Sequence, residues 1–483
     1  SKEYLGETKN EKMLRAAAEM YGVDAKSGMW QLDSSFVGRY AEQDAAVTLR
    51  LWDRLRIDIV AEECSSIFQL ESSLLPVLLD MKQRGVRVDT DKAEQVKKEL
   101  LSREKTLLKE IKEETGVTVE PWVATSVAKA FDALGLKYHR TEKTEAPAFT
   151  KQFLANHEHP IAKKIVRLRE FNKANTTFVE TILEHSHNGR IHCDFNPLRS
   201  DEGGTVTGRF SSSNPNLQQI PARDPEIKAM IRGLFIPEEG HKWGSFDYAS
   251  QEPRWLAHYC AQIKGANRSP EIDEVVEMYK SGNADFHQMV ADMAGISRKE
   301  AKTVNLGIMY GMGRKKLAGV LDVTEDEAKS LLSKYHEHVP FVKGIADMTM
   351  NHAGDKGSIR TILGRKCRFD RWEPRSFGFH KALPLEEAVE VYGGRGMIKR
   401  AFTYKALNKL IQGSSADQTK KAMVDCYNEG LCPILTVHDE LCFNIESKEQ
   451  ADKVVEIMTT CIPDLNVPFE VDTAIVDNWG QVE

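Results

Sequence analysis

Residues 241–259 read HKWGSFDYASQEPRWLAHY, and the fold turns on this stretch. Trp243, Ser245 and Asp247 alternate with Gly244, Phe246 and Tyr248, which is the period of a strand with two distinct faces. Ser250 then stands where a helix would be capped, and Pro253 falls in its first turn, where a missing N–H costs little. Asp247 is therefore expected where a strand ends and a helix begins. Taken alone, such a carboxylate is ordinary turn chemistry or an oxygen ligand held over a sheet.

Two further stretches concentrate chemistry. In PILTVHDELCFNI, residues 433–445, apolar runs flank His438, Asp439 and Glu440, so a β-hairpin is expected with an imidazole and two acids at its tip. Adjacent acids between hydrophobic strands repel, and a pair of Mg²⁺ ions bridged by Asp439 and Asp247 would relieve that repulsion. In GISRKEAKTVNLGIMYGMG, residues 295–313, Ser297 and Glu300 form a capping-box pattern and Gly311 offers a stop, predicting a helix over 298–310. Arg298, Lys302, Leu306 and Tyr310 recur every fourth residue, so one face carries two cations, an apolar group and a ring. That face suits a triphosphate and a base, although a stripe of cations is as often simply solvated.

The rest of the chain sets the frame. Its 483 residues make room for about three domains with a core that needs no staples. Hydrophobic residues at 41% and charged residues at 29% are globular proportions and argue against disorder. No run approaches the apolar length of a membrane span, and the start, SKEYLGETKNEKMLR, is too charged for a signal peptide. A cytoplasmic chain with no membrane partner is expected. The eight cysteines lack any Cys-x-x-Cys and read as reduced and mostly buried. The pairs His157/His159, His185/His187 and His336/His338 have no further ligand at metal spacing and read as surface histidines. Net charge is −6, yet residues 360–409 carry twelve Lys or Arg against five acids, a local excess able to attract phosphates.

Along the chain, residues 1–62 read as two or three helices. Residues 66–84 form an amphipathic helix with Leu70, Leu74, Leu75, Leu78, Leu79 and Met81 on one side and Gly85 as its stop. A long mixed-charge helix is expected from the Asp89–Asp91 caps to Glu114. EGGTVTGRFSSSNPNLQQIP, residues 202–221, is too rich in Gly, Ser, Asn and Pro to be core, and is expected to be linker or to be ordered by what it binds.

Taken together, TGRFSSSNPNLQQIP (207–221), DYASQEPR (247–254), RKEAKTVNLGIMYG (298–311) and VHDE (437–440) resemble, in type, order and spacing, the polymerase motifs of the DNA polymerase I family, family A. The resemblance runs from about residue 64 to the C-terminus. DYASQEPR and the insert near 372–395 look more like phage enzymes than the bacterial housekeeping one. It implies an α+β right hand with an antiparallel palm sheet and mostly helical fingers and thumb. The implied domains are an exonuclease remnant at 1–62, thumb and palm base at 63–200, palm at 201–261, fingers at 262–345 and palm again at 346–483. The implied activity is template-directed addition of dNTPs to a primer 3′ end, in phage or bacterial DNA replication or repair. Primer-template DNA and dNTPs are the implied partners, with replication accessory proteins as candidates, on a monomer.

Residue by residue, Asp247 and Asp439 match the family's metal-binding aspartates, with the Tyr248 carbonyl completing the shell and Glu440 a lesser acid. The metals would be two Mg²⁺, with Mn²⁺ able to substitute. Arg298 and Lys302 match residues that grip the triphosphate, aided by His287, and Lys302 is placed to protonate pyrophosphate. Tyr310 would stack near the templating base and, with Glu252, wall off a ribose 2′-hydroxyl. Arg209, Asn216, Asn408, Gln412 and His438 resemble primer-template contacts. Three departures stand out: Leu306 where the family has Phe or Tyr, Tyr404 where it has Arg, and Ser250 where it has Gln. Residues 1–62 look like the last third of a 3′-to-5′ exonuclease domain, with Tyr40 and Asp44 at its third motif but no other acidic motif, so a clipped chain that does not proofread is expected. A single-subunit RNA polymerase shares the aspartates and lysine helix, but Glu252 argues against it. A DNA-binding protein with a decayed palm would have lost one metal aspartate, and both are present.

Overall fold

The computed structural model describes residues 2–8, 10–198, 205–265, 268–282, 285–309, 312–321, 323–376, 378 and 380–482, with the backbone alone at Met293 and His338. It forms two compact units, Ser1–Ser72 with Leu363–Lys366, and Ser73–Ile362 with Cys367–Glu483. Within residues 1–72 the regular elements of the smaller unit are helices. Helices Lys12–Tyr21 and Ser34–Ala61 close on Leu14, Ala17, Ala18 and Leu32, against which Tyr40 packs part-buried. Asp44 lies one turn beyond Tyr40 on the same helix.

In the larger unit the sheet that positions the site is antiparallel, in the order Leu435–Val437, Glu440–Ile445, Lys242–Tyr248, Val471–Val476. Its period-2 pattern works as the sequence requires. Gly244, Phe246 and Tyr248 face one way, where Phe246 meets Phe443 edge-on and the Tyr248 hydroxyl donates to the Met458 carbonyl at 2.8 Å. Trp243 and Ser245 face the other, over a core of Trp479, Phe235, Ile231 and Cys442. Trp243 and Trp479 stack at 5.9 Å, and all of these side chains are buried.

The long helices that precede the sheet follow the same logic. Thr90–Thr115 starts at Asp89, whose side chain accepts from the Lys92 amide at 2.9 Å, and stops at Gly116, with φ +71°. Its buried Val96, Leu100 and Ile111 lie along one face. The helix Ser65–Arg84 ends at Gly85 as expected, but its apolar stripe is narrower than the sequence suggests. Leu70, Leu74, Val77, Leu78 and Met81 are buried, while Leu75 and Leu79 are exposed. At 100° per residue, Leu75 and Leu79 lie beyond the face that Leu74 and Leu78 centre.

The loop 205–221 departs from expectation more clearly. Thr207, Ser212, Leu217 and Ile220 are buried, so this polar stretch is part of the packed interior. Ser212 explains how: its hydroxyl accepts from the Leu217 amide and donates to the Pro215 carbonyl, both at 3.3 Å, and Ser211–Ser213 pairs with Asp194–Asn196. Backbone groups that would otherwise be stranded are bonded locally. The eight cysteines are free, five of them buried. Among the described residues no helix is long and apolar enough to cross a membrane.

Candidate active site

Asp247 is the penultimate residue of its strand, in register with Glu440 on one side and Asp472 on the other. The turn behind it is built by Arg254, a buried residue the motif reading passed over. Its Nε donates to the Ala249 carbonyl at 2.8 Å, its other nitrogens bond the Pro468 carbonyl and Glu470, and its guanidinium lies 4.9 Å from the Tyr279 ring centre. Ser250 stands at the helix N-cap position but does not cap. It is in the left-handed region, φ 52° and ψ 49°, and its hydroxyl makes no capping bond to the Gln251–Ala261 helix. Gln251, next in line, is buried and donates to the Gln418 side chain at 3.0 Å, locking this helix to Ala406–Asn428.

The hairpin turns in two residues, His438 and Asp439, because Val437 pairs with Glu440. His438 takes the turn's positive φ of 60° and is exposed. This corrects the placement of Glu440: it is the first residue of the returning strand, and its side chain is buried beneath the sheet. There one carboxylate oxygen accepts from Ser245 Oγ at 2.6 Å and Trp479 Nε1 at 3.1 Å, and the other lies 3.9 Å from the Arg232 guanidinium. Arg232 is itself buried, 4.1 Å from the Trp479 ring centre. The cation that relieves repulsion at Glu440 is thus supplied by the protein.

Among the described residues Asp247 and Asp439 have no such salt-bridge partner. The Asp247 carboxyl is raised well above the ordinary carboxylate range, first by the protein packed around it and then by Asp439, Glu440 and Asp472, with Arg232 opposing. Although its side chain is open to solvent, the crowding of like charges gives the direction. Asp439 is raised as well, chiefly by burial, against the pull of its own backbone amide, Arg209 and His438. Two oxygen-donor carboxylates held in mutual repulsion fit a hard divalent cation. Among the described residues no group of three or more His, Cys, Asp or Glu could hold a metal alone. The Tyr248 ring is on the opposite face, so only its main chain can serve this site.

Glu252, in the first turn of the helix, is bonded by Arg209 at 2.5 Å, so the TGRF loop and the strand-to-helix turn are tied together. Asn216 caps the short turn Leu217–Gln219, accepting from the Gln218 amide at 3.0 Å. Asn408 and Gln412 are half-buried one turn apart on the Ala406–Asn428 helix. His438 borders an open cleft of about 630 Å³ that also touches Lys173, Gln218, Arg223 and Arg232.

The cation helix runs Arg298–Met309, and the capping box is present, with the Ser297 amide donating to the Glu300 carboxylate at 2.8 Å and the Glu300 amide to Ser297 Oγ at 3.2 Å. Tyr310 and Gly311 lie outside the described residues. Lys302 is exposed and Leu306 half-buried. Arg298 donates to Asp285 at 2.6 Å, and Asp285 also caps the Phe286–Ala294 helix, an anchor the sequence reading missed. His287 is pushed down to about 4 by burial and then by Lys302 and Arg298, so it is neutral at pH 7. Its Nδ1 accepts from the Asn305 amide at 3.0 Å, which leaves the proton on Nε2.

A four-stranded antiparallel sheet with an aspartate at a strand end, set among mostly helical segments, is the palm of a right-hand polymerase fold. The profile of DNA polymerase family A matches residues 90–481, and the chain belongs to that family. It is 36% identical to a DNA-directed DNA polymerase of Pseudomonas phage M6, over 98% of this chain and 74% of that one. It is 29% identical to DNA polymerase DpoZ of Acinetobacter phage SH-Ab 15497, over 92% and 74% respectively. The POL domain of Pol1 from M. smegmatis, solved with DNA primer-template and dNTP, shares the fold with a TM-score of 0.73 at 24% identity, over 98% of this chain and 79% of that one.

Proposed function

We infer that this chain is a phage-type DNA-directed DNA polymerase that extends a primer by nucleotidyl transfer at Asp247 and Asp439. The observation that carries the site assignment is the meeting of two carboxylates from different motifs, Asp247 at a strand end among other acids and Asp439 in a two-residue turn, both raised above the ordinary range. Divalent metal, here two Mg²⁺ by this reading, activates the attacking oxygen and stabilises the leaving group when bound. The protein's own part is positioning. Asp247 and Asp439 supply the carboxylates, and the Arg254 staple and the Glu440–Arg232 network hold their strands. Lys302 and Arg298 present positive charge for the triphosphate, and neutral His287 offers an Nε2 donor rather than a third full charge.

Glu252, ion-paired to Arg209 at the base of the helix, supports the deoxy reading over the RNA polymerase reading as a side chain held in place that would exclude a 2′-hydroxyl by its bulk. Arg209, Asn216, Asn408, Gln412 and His438 serve the duplex in this account. Residues 63–200 act as thumb and palm base, 262–345 as fingers, and 1–62 as the residue of an exonuclease fold. The test is extension of a primed template with single dNTPs and Mg²⁺. Incorporation of the complementary nucleotide alone, with rNTPs rejected and EDTA blocking, is expected. No extension, or equal use of rNTPs, would refute the reading.

A further inference from the structure

In the run VNLGIM, residues 304–309, Asn305 is the one polar side chain among apolar residues and a glycine. It lies on the buried side of the Arg298–Met309 helix with Ala301, Val304 and Met309, and is itself fully buried. A buried carboxamide is destabilising unless both of its ends are bonded. Here both are: Nδ2 lies 3.0 Å from Nδ1 of His287 in the Phe286–Ala294 helix, and Oδ1 accepts from the hydroxyl of Tyr335 in the Glu325–His338 helix. Three helices thus meet at one amide. A leucine would fill the same space without these demands, so packing alone does not call for it.

The direction of the two bonds is set at the tyrosine. Tyr335 is also fully buried, and burial holds its hydroxyl protonated. Among the described residues that proton has one acceptor, Asn305 Oδ1. With its carbonyl end taken, the amide turns its N–H groups to His287, and a ring nitrogen that faces a donor must offer a lone pair. His287 is neutral, so its single proton is left on Nε2, which among the described residues has no protein partner. The charged groups around the ring are Lys302 and Arg298 from the neighbouring helix and Asp285 at its own cap. Among the described residues none of them bonds either ring nitrogen.

We propose that Asn305, pinned by Tyr335, is a positioning residue that fixes His287 as its Nε2–H tautomer, so that the ring meets the triphosphate with a donor and never with a lone pair. This rests on the polymerase reading and adds to it two buried residues, one of which, Tyr335, lies outside the four motifs. The other tautomer would set a lone pair against phosphate oxygens and repel them.

The experiment uses the full chain. Nitrogen NMR of the histidine rings reads the tautomer, with the His287 signals identified by their loss in His287→Gln, while primer extension gives KM for dNTP and a binding titration gives Kd for primer-template. The wild type should carry the His287 proton on Nε2 alone. Asn305→Asp keeps the shape but can only accept, so it should draw the proton to Nδ1 and raise the pKa of the ring. Below that raised pKa the imidazolium still has Nε2–H; above it the donor is lost. KM for dNTP in this variant should therefore be near the wild type at low pH and about tenfold higher by about pH 8.5, the loss of one hydrogen bond to a charged group, while Kd for DNA holds. Tyr335→Phe, which unpins the amide and changes little else, should show both tautomers and a smaller rise in KM. A proton on Nδ1 in the wild type overturns the lock. So does a ratio of Asn305→Asp to wild-type KM that is constant with pH, or a Tyr335→Phe ring that stays wholly in the Nε2–H form. A wild type that extends no primer would sink the polymerase reading instead, while the ring signals still decide the tautomer.

Discussion

Asp247 and Glu440 are cross-strand neighbours with opposite fates, and the difference is one of partners. Glu440 has Ser245, Trp479 and Arg232, whereas Asp247 has only other acids and the same arginine at longer range. Removing Arg232 should therefore be costly. Arg232→Met leaves Glu440 buried without its cation and should destabilise the fold by about 3 kcal/mol, read by urea denaturation. The metal-free protein has a characteristic pH profile. The folded Asp247 carboxyl is raised above its unfolded value of about 4, so above that pH the native state holds a proton that the unfolded chain has lost. Its contribution to stability therefore falls as pH rises through the interval up to the raised value. Asp247→Asn should flatten that slope in EDTA, and an unchanged slope would show that the repulsion lies elsewhere.

Two more residues can be tested at this scale. Lys302→Ala should raise KM for dNTP far more than Kd for primer-template, and the reverse ranking would move this helix into the DNA groove. Leu306 offers neither ring nor hydroxyl to the sugar, so Leu306→Tyr should improve dideoxynucleotide incorporation; an unchanged preference would make the position one of packing alone.

At the scale of elements, the strand-turn-helix and the hairpin were legible because alternation at period 2 is strong and short-range. What failed was a matter of one residue. A three-residue tip would have left Glu440 in the turn beside Asp439; the turn takes two, so Glu440 begins the returning strand opposite Asp247 and its carboxylate is taken up by Ser245, Trp479 and Arg232. Ser250 failed for a similar reason: its residue type suits a cap, but the backbone enters the helix from the left-handed region, which sequence does not announce. The energetic consequence is measurable. Ser250→Ile should cost about 1–2 kcal/mol, while Ser250→Gly should be close to neutral, as judged by urea midpoints. Equal stability of the two would mean that the turn adapts. Arg232, Arg254 and Asp285 were not legible because each acts on groups far away in sequence, and no local pattern marks a buried arginine's partner.

At the scale of the molecule, four motifs in a fixed order identified the family before any contact was known, and the profile match over residues 90–481 agrees. The proposed site joins segments nearly two hundred residues apart, Asp247 with Asp439, which is why composition and net charge say little about it. The buried loop 205–221 shows the same limit in reverse: its polar residues looked like linker, and only the local bonds of Ser212 reveal them as interior.

The central claim is that Asp247 and Asp439 act as one catalytic unit. It is tested most directly by single-nucleotide turnover of Asp247→Ala, Asp439→Ala and the double variant, with DNA affinity measured in parallel. Residues acting together lose their effect together, so each single change should lower the rate by more than about 10³-fold, the double should be hardly worse, and DNA affinity should be largely kept. Substantial turnover by either single variant, or losses that simply multiply in the double, would contradict the account.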